Sequence, residues 1–192
     1  MKSDFVSFSS GDKKVLVFSG VTVLAIIIWL ISCIENMPML FMLRFVPIVL
    51  FGFFASAIDL STKRIPNKLV LAMLFGWVLI SIPMCLVEFI AAIRFLTDSL
   101  LGFAFGGGLF LAVYLLSKKG LGGGDVKFMA AAGLYLGFTE TLTVILYGTI
   151  LAALTGVILI LMKKIERKEP MPLAPFLFVG IMISAFIRGF QL

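Results

Sequence analysis

Two aspartates carry most of the chemistry this chain could perform. Asp125 follows Gly120-Leu121-Gly122-Gly123-Gly124 and precedes Val126-Lys127, while Asp59 closes an apolar run just before Leu60-Ser61-Thr62-Lys63-Arg64-Ile65-Pro66-Asn67. Glycine permits positive φ and close backbone approach. The apolar stretch after Asp125 reads as a helix with Asp125 in its first turn, where unpaired N–H groups and the positive dipole end favour a carboxylate. Alone, Asp125 reads equally well as a helix cap. A second aspartate adds another chemistry. Two carboxylates brought together share a proton, because close like charges do not both ionise. One can then activate water while the other protonates a carbonyl or leaving amine. Asp59, at a helix C-terminus, is expected to start as the acid and Asp125 as the base, although such a pair titrates as a unit. The chain has no histidine. That excludes serine–histidine and H-E-x-x-H proteases, each of which needs imidazole.

The elements that must position these groups are membrane helices. Of the 192 residues 61% are hydrophobic and the mean hydropathy is +1.19, against roughly 45–50% apolar content for a soluble domain. A polar segment, residues 1–14, precedes a first apolar run at 15–34, about the length of a membrane span. Leu30-Ile31-Ser32-Cys33 resembles a lipoprotein cleavage site, but the run is longer than a signal-peptide core, so an uncleaved first helix is expected. Further spans are expected at 40–58, 68–89, 99–116, 126–138, 141–162 and from Pro170 and Pro172 to about 187. A short turn holding Arg94 and Asp98 should precede the fourth. Pro66 stops one helix and Asn67 is suited to cap the next. Gly102 and Gly106, four apart, suit close helix packing. Cys33 and Cys85 lie in separate apolar runs, which supports neither a disulfide framework nor a zinc site. The fold class is all-α, a polytopic bundle of about six to seven transmembrane helices forming a single domain over residues 1–192.

Orientation follows from the basic residues. With alternating spans, Arg44, Arg94 and Arg188 fall on one side and the other thirteen of the sixteen Lys and Arg residues on the other, which marks the latter as cytoplasmic. Residues 1–14 are then a short cytoplasmic segment. The net charge of +6 is explained by topology and by anionic inner-leaflet lipid, without a nucleic acid partner. Asp59 and Asp125 fall on the same, cytoplasmic face. Ionisable groups at the edge of a membrane bundle default to a functional reading.

Asp59 followed by Ile65-Pro66-Asn67, together with Gly122-Gly123-Gly124-Asp125-Val126-Lys127, resembles the two signature segments of the type IV prepilin peptidases, membrane aspartyl proteases with a G-x-G-D motif. Pro172-Leu173-Ala174-Pro175-Phe176 is similar to the proline-containing start of that family's last helix. The resemblance covers roughly residues 40–187. It implies Asp59 and Asp125 as catalytic residues, with Gly122, Gly124, Lys127, Pro66 and Asn67 as supporting motif positions. It also implies removal of the basic leader of a prepilin-like or preflagellin-like precursor at the cytoplasmic membrane face, with no cofactor. The long bifunctional members carry an insert with paired C-x-x-C motifs and an N-methyltransferase activity. This sequence contains no such motif, and so resembles the short, peptidase-only members.

Two alternatives stand beside that reading. Presenilin and signal peptide peptidase proteins also use a G-x-G-D aspartate, but carry their first aspartate after a tyrosine inside a span, where here Ala57-Ile58 precede Asp59 at a span end. A small proton-coupled transporter could pair carboxylates between helices. Its carboxylates should lie near the bilayer midplane, those of a prepilin peptidase near one face.

Overall fold

A backbone surrounded by lipid must satisfy its own N–H and C=O groups, and a helix does so within one segment. The structure, a computed structural model, describes residues 23–24, 39–87, 89–117, 121–163 and 171–191, and every regular element among them is helical. Five long helices follow one another: α1 Met39–Thr62, α2 Asn67–Val87, α3 Phe89–Leu116, α4 Gly123–Leu161 and α5 Ala174–Gln191. The all-α class expected from sequence holds. Three stretches, Met42–Thr62, Phe89–Leu116 and Gly123–Leu161, are long and apolar enough to cross a membrane. Segment 1–14, most of the first span at 15–34 and the charged run at 164–169 lie outside the described residues.

α4 is two arms that meet at Gly137, where φ is 76° and ψ is −178°, a conformation essentially restricted to glycine. Contacts along α3 give the direction of each arm. Gly102 abuts Gly133 and Gly137, whereas Gly106, one turn further on, abuts Met129 and Thr141. Advancing along α3 therefore means moving back along 123–136 and forward along 138–161. The two arms run in opposite directions, as the two expected spans require, but the chain reverses at a single glycine within the apolar sequence.

Asp98 makes this reversal possible. Its Oδ1 accepts the Phe138 N–H at 2.9 Å and its Oδ2 accepts Arg44 Nη2 at 2.9 Å, while Arg44 Nε donates to the Tyr135 carbonyl at 2.8 Å. The Arg44 guanidinium also lies over the Phe95 ring, 4.9 Å from its centroid. These contacts correct one expectation. Arg94 and Asp98 do not form a turn; both are inside α3, which begins at Phe89, ten residues before the expected span. Asp98 finds its partners on neighbouring segments, so the helix has no need to break there.

The rest of the bundle closes around the first arm of α4. Phe128, Met129 and Tyr135 are buried in one apolar cluster with Ile48 and Val49 of α1 and Phe178 and Ile181 of α5. The Tyr135 hydroxyl donates to the Met73 carbonyl in α2 at 2.5 Å. Gly148 and Gly180 bring the second arm and α5 into backbone contact, and Gly52 leaves room for Phe178. This packing holds the end of α1, the start of α4 and the start of α5 side by side.

Candidate active site

Asp59 occupies the last turn of α1 and is only 4% exposed. The helix ends just beyond it because Lys63 adopts a left-handed φ of 52° and returns its N–H to the Asp59 carbonyl at 2.8 Å, the αL stop that usually employs glycine. The Asp59 carboxylate reaches the N-terminus of α5, where its Oδ2 accepts the Ala174 N–H at 3.0 Å. Ser56, one turn earlier and fully buried, lies with its hydroxyl between the carbonyls of Gly52 and Ala174 at 2.7 and 3.1 Å. Pro175 suits the first turn of α5, where its missing N–H is no loss. Asp59 does stand at the C-terminal end of α1, but an N-terminal donor of α5 also faces it, so α1's dipole alone does not assign its role.

Asp125 sits in the first turn of α4, its N–H donating to the Gly122 carbonyl at 3.1 Å. The three glycines before it are not equivalent. A Cβ at Gly122 would stand 2.8 Å from Asp125 Oδ2, and one at Gly124 would press against Ile65 at 3.2–3.3 Å from its Cβ, N and O. At Gly123 a Cβ would meet only the Tyr114 ring, at 4.0 Å. The first and third glycines are thus fixed by the carboxylate and by the Ile65 backbone, and the middle position is open.

These segments enclose a cavity of about 370 Å³ lined by Asp59, Lys63, Arg64, Ile65, Gly122, Gly123, Gly124 and Asp125. Both carboxylates belong to residues of this one lining. Of the candidate residues, the structure brings together Asp59, Asp125, Gly122 and Gly124. Pro66, Asn67 and Lys127 lie beside the cavity instead of lining it. Pro66 accepts the Leu69 N–H at 3.1 Å. Asn67 Oδ1 accepts from Lys127 Nζ at 3.0 Å, joining the start of α2 to the segment just after Asp125. α2 begins at Asn67 itself, so Asn67 is the first residue of the helix where the sequence suggested its cap, and its side-chain oxygen serves Lys127. Sequence reasoning missed three members of the site. Ile65 and the Ala174 N–H lay within motifs already singled out; nothing in the sequence signalled Ser56.

The sequence profile of the Type IV leader peptidase family matches residues 46–157, more than half of the chain, and includes both aspartates. The chain belongs to the type IV leader peptidase family. Among curated proteins it is similar to the prepilin leader peptidase/N-methyltransferase of Aeromonas hydrophila, 31% identical over 124 residues that cover 64% of this chain and 42% of the relative. The protein of the same name from Bacillus subtilis (strain 168) is 31% identical over 138 residues, 68% of this chain and 50% of the relative. That from Pectobacterium carotovorum subsp. carotovorum is 29% identical over 149 residues, covering 71% and 48%. This chain thus spans half or less of the length of these relatives. No solved structure matches it. The resemblance read from the two aspartate motifs agrees with the family, while the segment Pro172–Phe176 lies beyond the matched residues.

Proposed function

We propose that this chain is a membrane-embedded aspartyl endopeptidase that removes the basic leader from prepilin-like or preflagellin-like precursors. The observation that carries the reading is that Asp59 and Asp125, 66 positions apart in the sequence, line one cavity between the end of α1 and the start of α4. Both therefore stand near one end of the bundle, where a peptidase acting at a membrane face needs them, and away from the mid-helix positions a proton-coupled transporter would use. The working topology has six to seven spans in a single domain over residues 1–192, counting α4's two arms separately and residues 15–34 as the first helix. The site then faces the cytoplasm, on the side that carries thirteen of the sixteen basic residues.

In the proposed reaction a water held between the carboxylates loses its proton to the ionised member and attacks the scissile carbonyl. The protonated member donates to the carbonyl oxygen, and protonation of the amine completes cleavage. Activity should fall at low pH, where both carboxylates are protonated and no base remains, and at high pH, where no acid remains. The supports in this scheme are Gly122 and Gly124, which let Asp125 and Ile65 approach, and the Asn67–Lys127 pair, which ties the two motifs together.

Co-expression with a candidate precursor, read by gel shift and N-terminal sequencing, tests the proposal. The intact chain should generate a new N-terminus at the leader boundary, while Asp59→Asn and Asp125→Asn should insert normally and leave the precursor whole. Full-rate cleavage by either variant would eliminate the dyad mechanism.

A further inference from the structure

Beside the aspartate cavity lies a second hollow of about 410 Å³, lined by Asn67, Val70, Leu71 and Leu74 of α2, Phe103 of α3, and Lys127, Ala130 and Ala131 of α4. Its floor is buried: Val70 is 8% and Ala131 1% exposed. Its lips are open, with Leu71 64% and Phe103 41% exposed. Ala130 and Ala131 present small side chains to the hollow, and Tyr135, one turn further along α4, reaches α2 with its hydroxyl on the Met73 carbonyl.

Resting on the proposed peptidase reading, we infer that this groove seats the apolar helix that follows the cut in the substrate. Continuity with the cavity favours that occupant. Asn67 and Lys127 form the upper end of the groove, bonded to each other at 3.0 Å, and each stands two residues from a lining residue of the aspartate cavity, Ile65 and Asp125 respectively. Below that pair every lining side chain is apolar. From Asn67 to Leu74 the groove extends about 10 Å along α2 at 1.5 Å per residue, or two turns of a docked helix. A precursor with its scissile bond between the carboxylates must send its next residues past Asn67 and Lys127. If they are apolar and helical, the hollow is the nearest surface that removes them from the aqueous face while leaving one side to lipid. Specificity for a polar leader joined to an apolar helix then comes from two adjoining sites of opposite character.

Two substrates separate this inference from the reading beneath it: a full-length precursor, and a water-soluble peptide holding the leader and cut site without the apolar helix. Leu71→Trp, at an exposed lip, should raise KM for the full-length precursor by about tenfold or more through overpacking and leave kcat/KM for the short peptide unchanged. Independently, a photo-crosslinking residue at position 71 should capture the precursor's apolar helix, and one at position 154, on the exposed outer side of α4, should not. Unchanged cleavage of the full-length precursor by Leu71→Trp overturns the groove assignment while the peptidase reading stands. So does capture at position 71 of lipid only, of a second copy, or of residues 15–34 of the same chain. Failure of the intact chain to cut either substrate overturns both.

Discussion

The two ends of this bundle use the same residue type to opposite effect. At one end Asp98 is paired with Arg44 across 2.9 Å and accepts the Phe138 N–H, and nearby Glu140 faces Arg188 at 3.5 Å and accepts the Ser184 hydroxyl at 2.5 Å. At the other end Asp59 and Asp125 are set around a shared cavity. Paired charge offsets its own desolvation, whereas two carboxylates placed together oppose ionisation of both and cost folding free energy. An arrangement of the second kind is what chemistry needs and stability does not. The carboxylate that locks a turn and the carboxylates proposed to react are distinguished by their partners.

Exchanges at the two ends should therefore fail in different ways. The largest effect belongs to Asp59→Asn and Asp125→Asn, each expected to lower cleavage by a factor on the order of 10³–10⁴ with membrane insertion and thermal unfolding little changed. Asp98→Asn should do the reverse, lowering stability by about 1–2 kcal/mol and retaining turnover in the folded fraction; equal loss of turnover at both ends would erase the contrast. Gly137→Ala should cost more than Asp98→Asn. Its φ of 76° is closed to alanine and the new Cβ would overlap the Asp98 carboxylate, so a destabilisation of ~3 kcal/mol or more is expected, read as lost folded yield in detergent.

Smaller effects sharpen the picture at the aspartate end. Gly124→Ala must push Ile65 by a few tenths of an ångström, and an activity loss of about tenfold is expected, since a misplacement of about 1 Å can cost roughly 10²-fold. Gly123→Ala meets open space and should be silent or slightly stabilising, by up to about 1 kcal/mol from helix propensity. Equal losses from both would show that flexibility, not contact, is what the glycines supply. Smallest of all, Asn67→Ala or Lys127→Ala removes an exposed hydrogen bond and should cost no more than about 1 kcal/mol in unfolding measurements.

Much of the aspartate end was legible because unusual residues concentrate there. Asp59 and Asp125 interrupt apolar sequence, the basic residues place them on one side, and proline and glycine mark the breaks around them. The opposite end was not legible in the same way. Asp98 looked like a turn residue because a charge between apolar runs usually is one, and only the position of Arg44, 54 residues earlier, lets it remain helical. The reversal at Gly137 falls close to the break expected between the spans at 126–138 and 141–162, where Thr139 and Glu140 mark it, but nothing in the apolar neighbours Leu136 and Phe138 showed that a single glycine would make the turn. In a bundle whose outer faces meet lipid, apolar side chains cover every face of each helix. Hydrophobic patterning therefore could not reveal which face would meet the Ala174 N–H or place Ser56 beneath it.

The hydrogen bond from Ala174 to Asp59 has a consequence for biogenesis. Both aspartates leave the ribosome well before α5 does, so the nascent chain holds its two acidic groups for a period without the backbone donor that orients the first. Maturation of the site waits on insertion of the final helix. On the proposed peptidase reading, a half-made protein is in this way kept from cutting whatever lies near it.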